Sequence, residues 1–262
     1  MAIDINSVTA PSMINAAIMN IRMFFPEAYR NKGGSKIDAL RRVFAVAAPV
    51  ISEEGGILTG VTEEGISAVF ENGGENVVQA ALKVFGSAAG SLTKDEITRL
   101  RMGICAGAVY LAKINYGKYS TPVAVSDGMK ISRRLSESAL QYDCSILVTD
   151  AAVARIRSFE NRFNNRRLGM IVNKDTKKES ILYDVFDSDP TDLKYRKRRS
   201  KLAFETGVSL FLRGEYLQAR AYFIEILKYD RNDKTAKRYI LKCDRVLSGE
   251  SDKAQEKYLE IW

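Results

Sequence analysis

The chemistry open to this chain rests on carboxylates, because it contains no histidine. That absence removes His-based nucleophile triads and His-rich metal sites, and leaves divalent-cation chemistry on acidic side chains. Glu63 and Glu64 stand together before Gly65 in a tight turn between two short apolar segments. Cys105, Cys144 and Cys243 are odd in number and far apart, so neither a disulfide framework nor a zinc cluster is indicated, and a reducing cytoplasm is expected. The 40 basic residues exceed the 32 acidic ones for a formal charge of +8, which favours anionic surroundings without naming a nucleic acid. Six basic residues crowd the eight positions from Lys194 to Lys201, yet only Tyr195 interleaves as a stacking platform and no DNA-binding motif accompanies them. No nucleic-acid partner is expected; a solvated first turn of a helix accounts for the run. No long apolar run predicts a membrane span.

Up to about residue 187, strand and helix patterns alternate. The run Ala16 to Phe25 predicts a strand, and Ile37, Leu40, Val43, Phe44 and Ala47 recur at helical spacing. A Gly-Gly turn at 55 and 56 opens a hairpin whose second strand is Ile66 to Phe70. A helix is predicted over Val77 to Ala89, a strand over Arg101 to Leu111, a short strand at Val123 to Val125, and a helix from Asp127, read as its cap, to Leu140. Strands at Ser145 to Thr149, Leu168 to Val172 and Ile181 to Phe186 complete an α+β layer. Beyond the stretch Ser188-Asp189-Pro190-Thr191-Asp192 only helical periodicity remains. The expected division is therefore a domain over 1–187, a basic linker over 188–201 and a helical segment over 202–262.

Four segments, in consistent order, resemble the class III adenylate/guanylate cyclase domain. Ile18-Met19-Asn20-Ile21-Arg22-Met23-Phe24 is similar to the family's opening strand, apolar-apolar-Asp-Ile-Arg-Gly-Phe. The hairpin from Gly55 to Phe70 resembles its second metal-binding turn, Leu100 to Gly107 its strand ending in a Gly-containing turn, and Tyr119 to Leu135 its Tyr-Thr-Val-Ile-Gly-Asp-Ala-Val-Asn-Leu-Ala-Ala-Arg-Leu segment. The resemblance implies a ferredoxin-like βαββαβ core that works as a dimer, with two aspartates holding two divalent cations at the ribose 3′-hydroxyl and the triphosphate.

Carried over position by position, that machinery is altered. The metal aspartates fall at Asn20, whose amide brings no negative charge, and at Glu64, one methylene longer than Asp and a weak metal candidate. The purine-selecting Lys falls at Gly60 and the base-selecting Asp or Thr at Val123, so neither polar selector is present. The ribose-orienting Asn falls at Lys130, while Arg134 keeps the family's Arg one helical turn further on. Lys130, Arg134 and Lys174 are the possible phosphate contacts. No catalytic residue and no cofactor are expected; Mg or Mn enters only if the domain is an active cyclase with unusual ligands.

The segment Phe204 to Phe223 resembles one tetratricopeptide repeat. Gly207, Gly214 and Ala219 allow close helix approach, Tyr216, Phe223 and Leu227 fill the groove, and a third helix is predicted over Lys234 to Leu247. One repeat cannot bury its apolar face alone, so it docks on its own domain, a second copy or another protein. The tail Tyr258-Leu259-Glu260-Ile261-Trp262 is read as an apolar anchor. Taken together, the expected protein is a catalytically lapsed, cytoplasmic bacterial signalling homologue of these cyclases. It forms a homodimer, or a heterodimer with another cyclase-type domain, and meets a protein partner through 202–262. A divergent active cyclase and a nucleotide-binding sensor without turnover are the alternatives.

Overall fold

Strand β1 (Ser12–Met23) is apolar at consecutive positions because both of its faces are covered: every residue from Ala16 to Ile21 is buried. The computed structural model describes residues 11–25, 33–63, 65–71, 73–116, 118–173 and 176–261. They form a mixed α+β structure in two units, residues 1–137 with 151–157, and residues 138–150 with 158–262.

In the first unit, β1 pairs antiparallel with β3 (Gly65–Glu71) on one side and with β4 (Leu100–Tyr116) on the other, and β2 (Gly56–Thr62) pairs with the outer side of β3. Strand β4 runs well past its predicted end. Its distal half, Tyr110 to Tyr116, pairs with β5 (Tyr119–Val125), which supplies the hydrogen bonds that sequence patterning could not foresee. Helices α1 (Gly33–Glu53) and α2 (Glu75–Ala88) pack together, and α2 also contacts β1 and β4. The inner stripe of α1 is Ala39, Val43, Val46, Ala47 and Val50, whereas Ile37 and Phe44, predicted as inward, are exposed. The small residues bring the helix closer than the larger ones would allow. Short helix α3 (Lys94–Thr98) starts in a capping box between Thr93 and Glu96. Helix α4 (Asp127–Ala139) is capped one residue earlier than predicted: the Gly128 amide donates to Ser126 Oγ at 3.0 Å, and that hydroxyl donates to the Ala108 carbonyl at 2.6 Å.

After short helices α5 (Asp150–Val153) and α6 (Phe159–Arg162), the second unit is built on strands in the order β6 (Ile146–Thr149), β8 (Glu179–Val185), β7 (Asn165–Val172). Helices α7 (Thr191–Leu212), α8 (Tyr216–Tyr229) and α9 (Lys234–Leu247) pack in sequence, and α7 lies against β7. Their shared core is aromatic. Phe223 stacks on Tyr239 with centroids 4.6 Å apart, and Phe204 and Phe211 meet Tyr239 edge-on. A Cβ at Gly207 would lie 3.0 Å from the Phe223 ring, so the predicted close approach is real. The Tyr239 hydroxyl donates to the Leu168 carbonyl at 2.7 Å, in space that only a glycine at 169 leaves open.

The stretch 188–201, expected as a linker, is helical from Thr191, and five of its six cations have structural partners. Lys197 is buried between Asp184 and Asp189, Arg196 lies 3.1 Å from Asp230, Arg198 donates to Asn164 at 2.6 Å, Arg199 stacks over the Tyr229 ring, and Lys201 reaches Glu160. The apolar C-terminal tail, after short helix α10 (Lys253–Glu256), finds its groove within this same unit. Tyr258 bridges Met170 in parallel, the Leu259 amide donates to the Met170 carbonyl at 2.7 Å, and Tyr142 donates to the Glu260 carbonyl at 2.9 Å. Leu259 and Ile261 are buried; Trp262 lies outside the described residues. The tail thereby meets the free edge of β7 at Met170.

Candidate functional site

The pairing of four strands lays Gly60 (β2), Ser67 (β3), Asn20 (β1) and Gly103 (β4) in one row across the sheet. Thr59 is the extra residue of a bulge beside this row, between Leu58 and Gly60. The row ends beneath α4, which approaches so closely that a Cβ at Gly103 would lie 2.1 Å from the Ser132 carbonyl oxygen and one at Gly128 would lie 2.3 Å from Ile18. Sequence spacing marks Gly103 as part of a glycine-containing strand, and the helix above it is the reason for the glycine.

Asn20, the first metal position, is only 3% exposed. Its side-chain amide lies between two hydroxyls, with Nδ2 3.2 Å from Ser67 Oγ and Oδ1 2.7 Å from Ser136 Oγ. The Ser136 hydroxyl also lies 2.6 Å from the Arg133 carbonyl, and it has one proton to give. The Asn20 amide nitrogen donates to Ser67 Oγ, and its oxygen accepts from the Ser136 hydroxyl, which lies between that oxygen and the Arg133 carbonyl. A neutral amide suits the place because it both donates and accepts. A carboxylate only accepts, and would be buried without a cationic partner from either serine. Two residues along β1, Arg22 reaches Glu137 at 2.7 Å, and Arg133 approaches the same carboxylate at 3.4 Å. The C-terminal turn of α4 is thus tied to β1 by hydrogen bonds and an ion pair.

The remaining positions are distributed unevenly. Gly60 is exposed, and a Cβ there would meet nothing within 4 Å. Val123 is half-buried on β5 opposite Ala112, and β5 runs near β2, so the two positions that the resemblance aligns with base selectors lie on strands near each other. Lys130 is exposed on α4; Arg134 is half-buried and has a partner. Glu64 and Lys174 lie outside the described residues. No group of three or more metal-ligating side chains occurs among the described residues, and the Asn20 amide is already occupied at both ends. Ser67 and Ser136 were not singled out from sequence; the available signal was the small polar pair Ser132 and Ser136, spaced to face inward on an otherwise amphipathic helix.

Burial pushes the Cys105 thiol up to about 12, so this residue beneath α4 is a packing group whose Sγ lies 3.1 Å from the Gly128 carbonyl.

No family model matches the chain. In sequence, 217 residues are 25% identical to the terminal-differentiation specific adenylate cyclase of Dictyostelium discoideum, covering 79% of this chain and 10% of that protein. Among solved structures, a bacterial light-regulated adenylyl cyclase aligns with a TM-score of 0.57 at 14% identity, over 75% of this chain and 60% of that one. The adenylyl cyclase CyaB from P. aeruginosa aligns at 0.51 and 13% identity, over 68% and 96%. The guanylyl cyclase domain of the RhoGC fusion protein of Blastocladiella emersonii, described as a non-canonical dimer, aligns at 0.51 and 10% identity, over 67% and 98%. The fold is that of the adenylate/guanylate cyclase domain.

Proposed function

We propose that this chain is a catalytically inactive homologue of the class III nucleotide cyclases that serves as a dimerising, scaffolding or regulatory module in signalling. The observation that carries this reading is the Asn20 side chain, buried and satisfied by Ser67 and Ser136 where an active relative needs a carboxylate open to cations. The loss of polar side chains at Gly60 and Val123 points the same way. Dimerisation through the sheet is supported by an exposed apolar row, in which Met13 on β1, Tyr110 on β4 and Val125 on β5 lie opposite one another and each is more than half exposed. Such an exposed apolar row suits a second cyclase-type domain, from another copy or from a homologous chain. Helices α7 and α8 are read as tetratricopeptide-like. Their inner face is filled within the unit, so a protein partner would meet the outer face, where Leu202 is 79% and Leu217 72% exposed.

The test is mass-spectrometric detection of cAMP and cGMP after incubation with ATP or GTP and excess Mn²⁺. No product is expected. Product that disappears in Glu64→Ala would instead make the chain a divergent cyclase, and saturable nucleotide binding without product would make it a sensor.

A further inference from the structure

In the second unit, five charged side chains meet out of reach of water: Arg166 on β7, Asp184 on β8, Asp189 before α7, Lys197 on α7 and Asp233 at the N-cap of α9. Each has a side chain no more than 3% exposed. Arg166 bridges Asp184 at 3.2 Å and Asp233 at 2.7 Å; Lys197 bridges Asp184 at 2.8 Å and Asp189 at 2.6 Å. Asp233 uses its other oxygen to cap α9, accepting from the Thr235 and Ala236 amides. Asp189 accepts from Ser145 Oγ at 2.6 Å, and Lys197 donates to the Asp143 carbonyl at 3.0 Å. The knot joins two strands to two helices.

The charges do not balance. Three carboxylates face two cations, and Asp184 Oδ1, fully buried, has no hydrogen-bond donor among the described residues. The Cys144 thiol beside these groups is itself pushed upward by burial and adds no cation. An excess buried charge of this kind is costly unless it is neutralised. We propose that the folded knot binds one proton that the unfolded chain does not, held at the Asp189 carboxylate that Lys197 bridges to Asp184, so that the hold of α7 and α9 on the strands strengthens from neutral pH into mild acid.

The Asp189 environment agrees with this assignment: burial raises its carboxyl, and Asp184 adds to the rise while Lys197 opposes it. A folded value above the unfolded one means that stability falls as pH rises from about 4 through the raised value. Asp233 sets the acid limit. Burial would raise it, but Arg166 holds it below its ordinary value, so its contribution is lost as pH falls through and below the ordinary carboxylate range.

The experiment is a carbon-detected NMR titration of aspartate carboxyls in the full-length protein, paired with limited proteolysis within 234–262 at pH 5.5 and 7.5. One aspartyl carboxyl is expected to titrate above the ordinary value, and cleavage to be slower at pH 5.5. The linked change in opening is up to about tenfold per unit by which the carboxyl is raised. Asp189→Asn, which leaves two carboxylates for two cations, should abolish both the raised titration and the pH dependence. Asp184→Asn serves the same purpose should the first variant not fold. Ordinary or lowered titration of every aspartate, or an unchanged pH dependence in the variants, overturns the proposal.

Discussion

The Ser136 hydroxyl of α4 lies 2.7 Å from the Asn20 amide of β1, across 116 residues of sequence. This contact makes Asn20, which the proposed reading aligns with the first metal carboxylate of the cyclases, part of the packing between helix and sheet.

Asn20→Asp is therefore expected to fail as a repair. Burying a carboxylate between two serines should cost about 1 to 3 kcal/mol, and Mn²⁺ should not recover the loss. Thermal denaturation of the wild type and the variant, with and without Mn²⁺, measures both. A rise in the variant's melting temperature with Mn²⁺ would show that the site opens to cations.

Glycines 60 and 103 lie in the same row with opposite tolerances. Gly60→Lys restores a long cation into open space and should change stability by less than about 0.5 kcal/mol. Gly103→Ala forces a Cβ to within 2.1 Å of the α4 backbone and should cost several times more, about 1 to 3 kcal/mol. Chemical denaturation of the two variants side by side tests the contrast.

Tyr110 is the centre of the exposed row with Met13 and Val125. Tyr110→Asp should leave the melting temperature nearly unchanged, because the side chain is already in solvent, and should weaken self-association at least tenfold. Sedimentation velocity across a concentration series reads this directly; unchanged association would put the dimer surface elsewhere.

Arg166 is the one cation that ties Asp233 to the strands, and its guanidinium stacks 4.4 Å from the Phe204 ring centroid. Arg166→Met keeps the bulk and leaves two buried carboxylates short of a partner, for an expected loss of about 3 to 5 kcal/mol. Hydrogen exchange should show α9 losing protection first, whereas uniform loss over the whole chain would argue against a local tie.

Much of the fold follows from local pattern. The predicted helix Lys234 to Leu247 coincides with α9 because Asp233 caps it and its inward residues, Ala236, Tyr239 and Cys243, keep helical spacing. The hairpin at Gly55 to Phe70 and the strand through Asn20 follow from alternating or continuous apolar runs between glycine turns. The true inner stripe of α1, the length of β4, the cap at Ser126 and the helical start at Thr191 did not follow. Each depends on a partner elsewhere in the chain: β5 for β4, the Ala108 carbonyl for Ser126.

By itself, the sequence determined which side chains the chain carries: no histidine anywhere, an asparagine at position 20, a glycine at 60 and a valine at 123. Side-chain identity is a local property, and a carboxylate or an amine that is not encoded cannot be supplied by folding. Tertiary structure decided what the substituted residues do instead. Asn20 becomes a hydrogen-bonded tie only because strand pairing brings Ser67 alongside it and the glycine at 103 lets α4 lower Ser136 onto it. Likewise, the basic run reads as a charged surface in one dimension. The strands beneath α7 turn Lys197 into a buried link, because a cation gives up water only where carboxylates are already waiting in the same space.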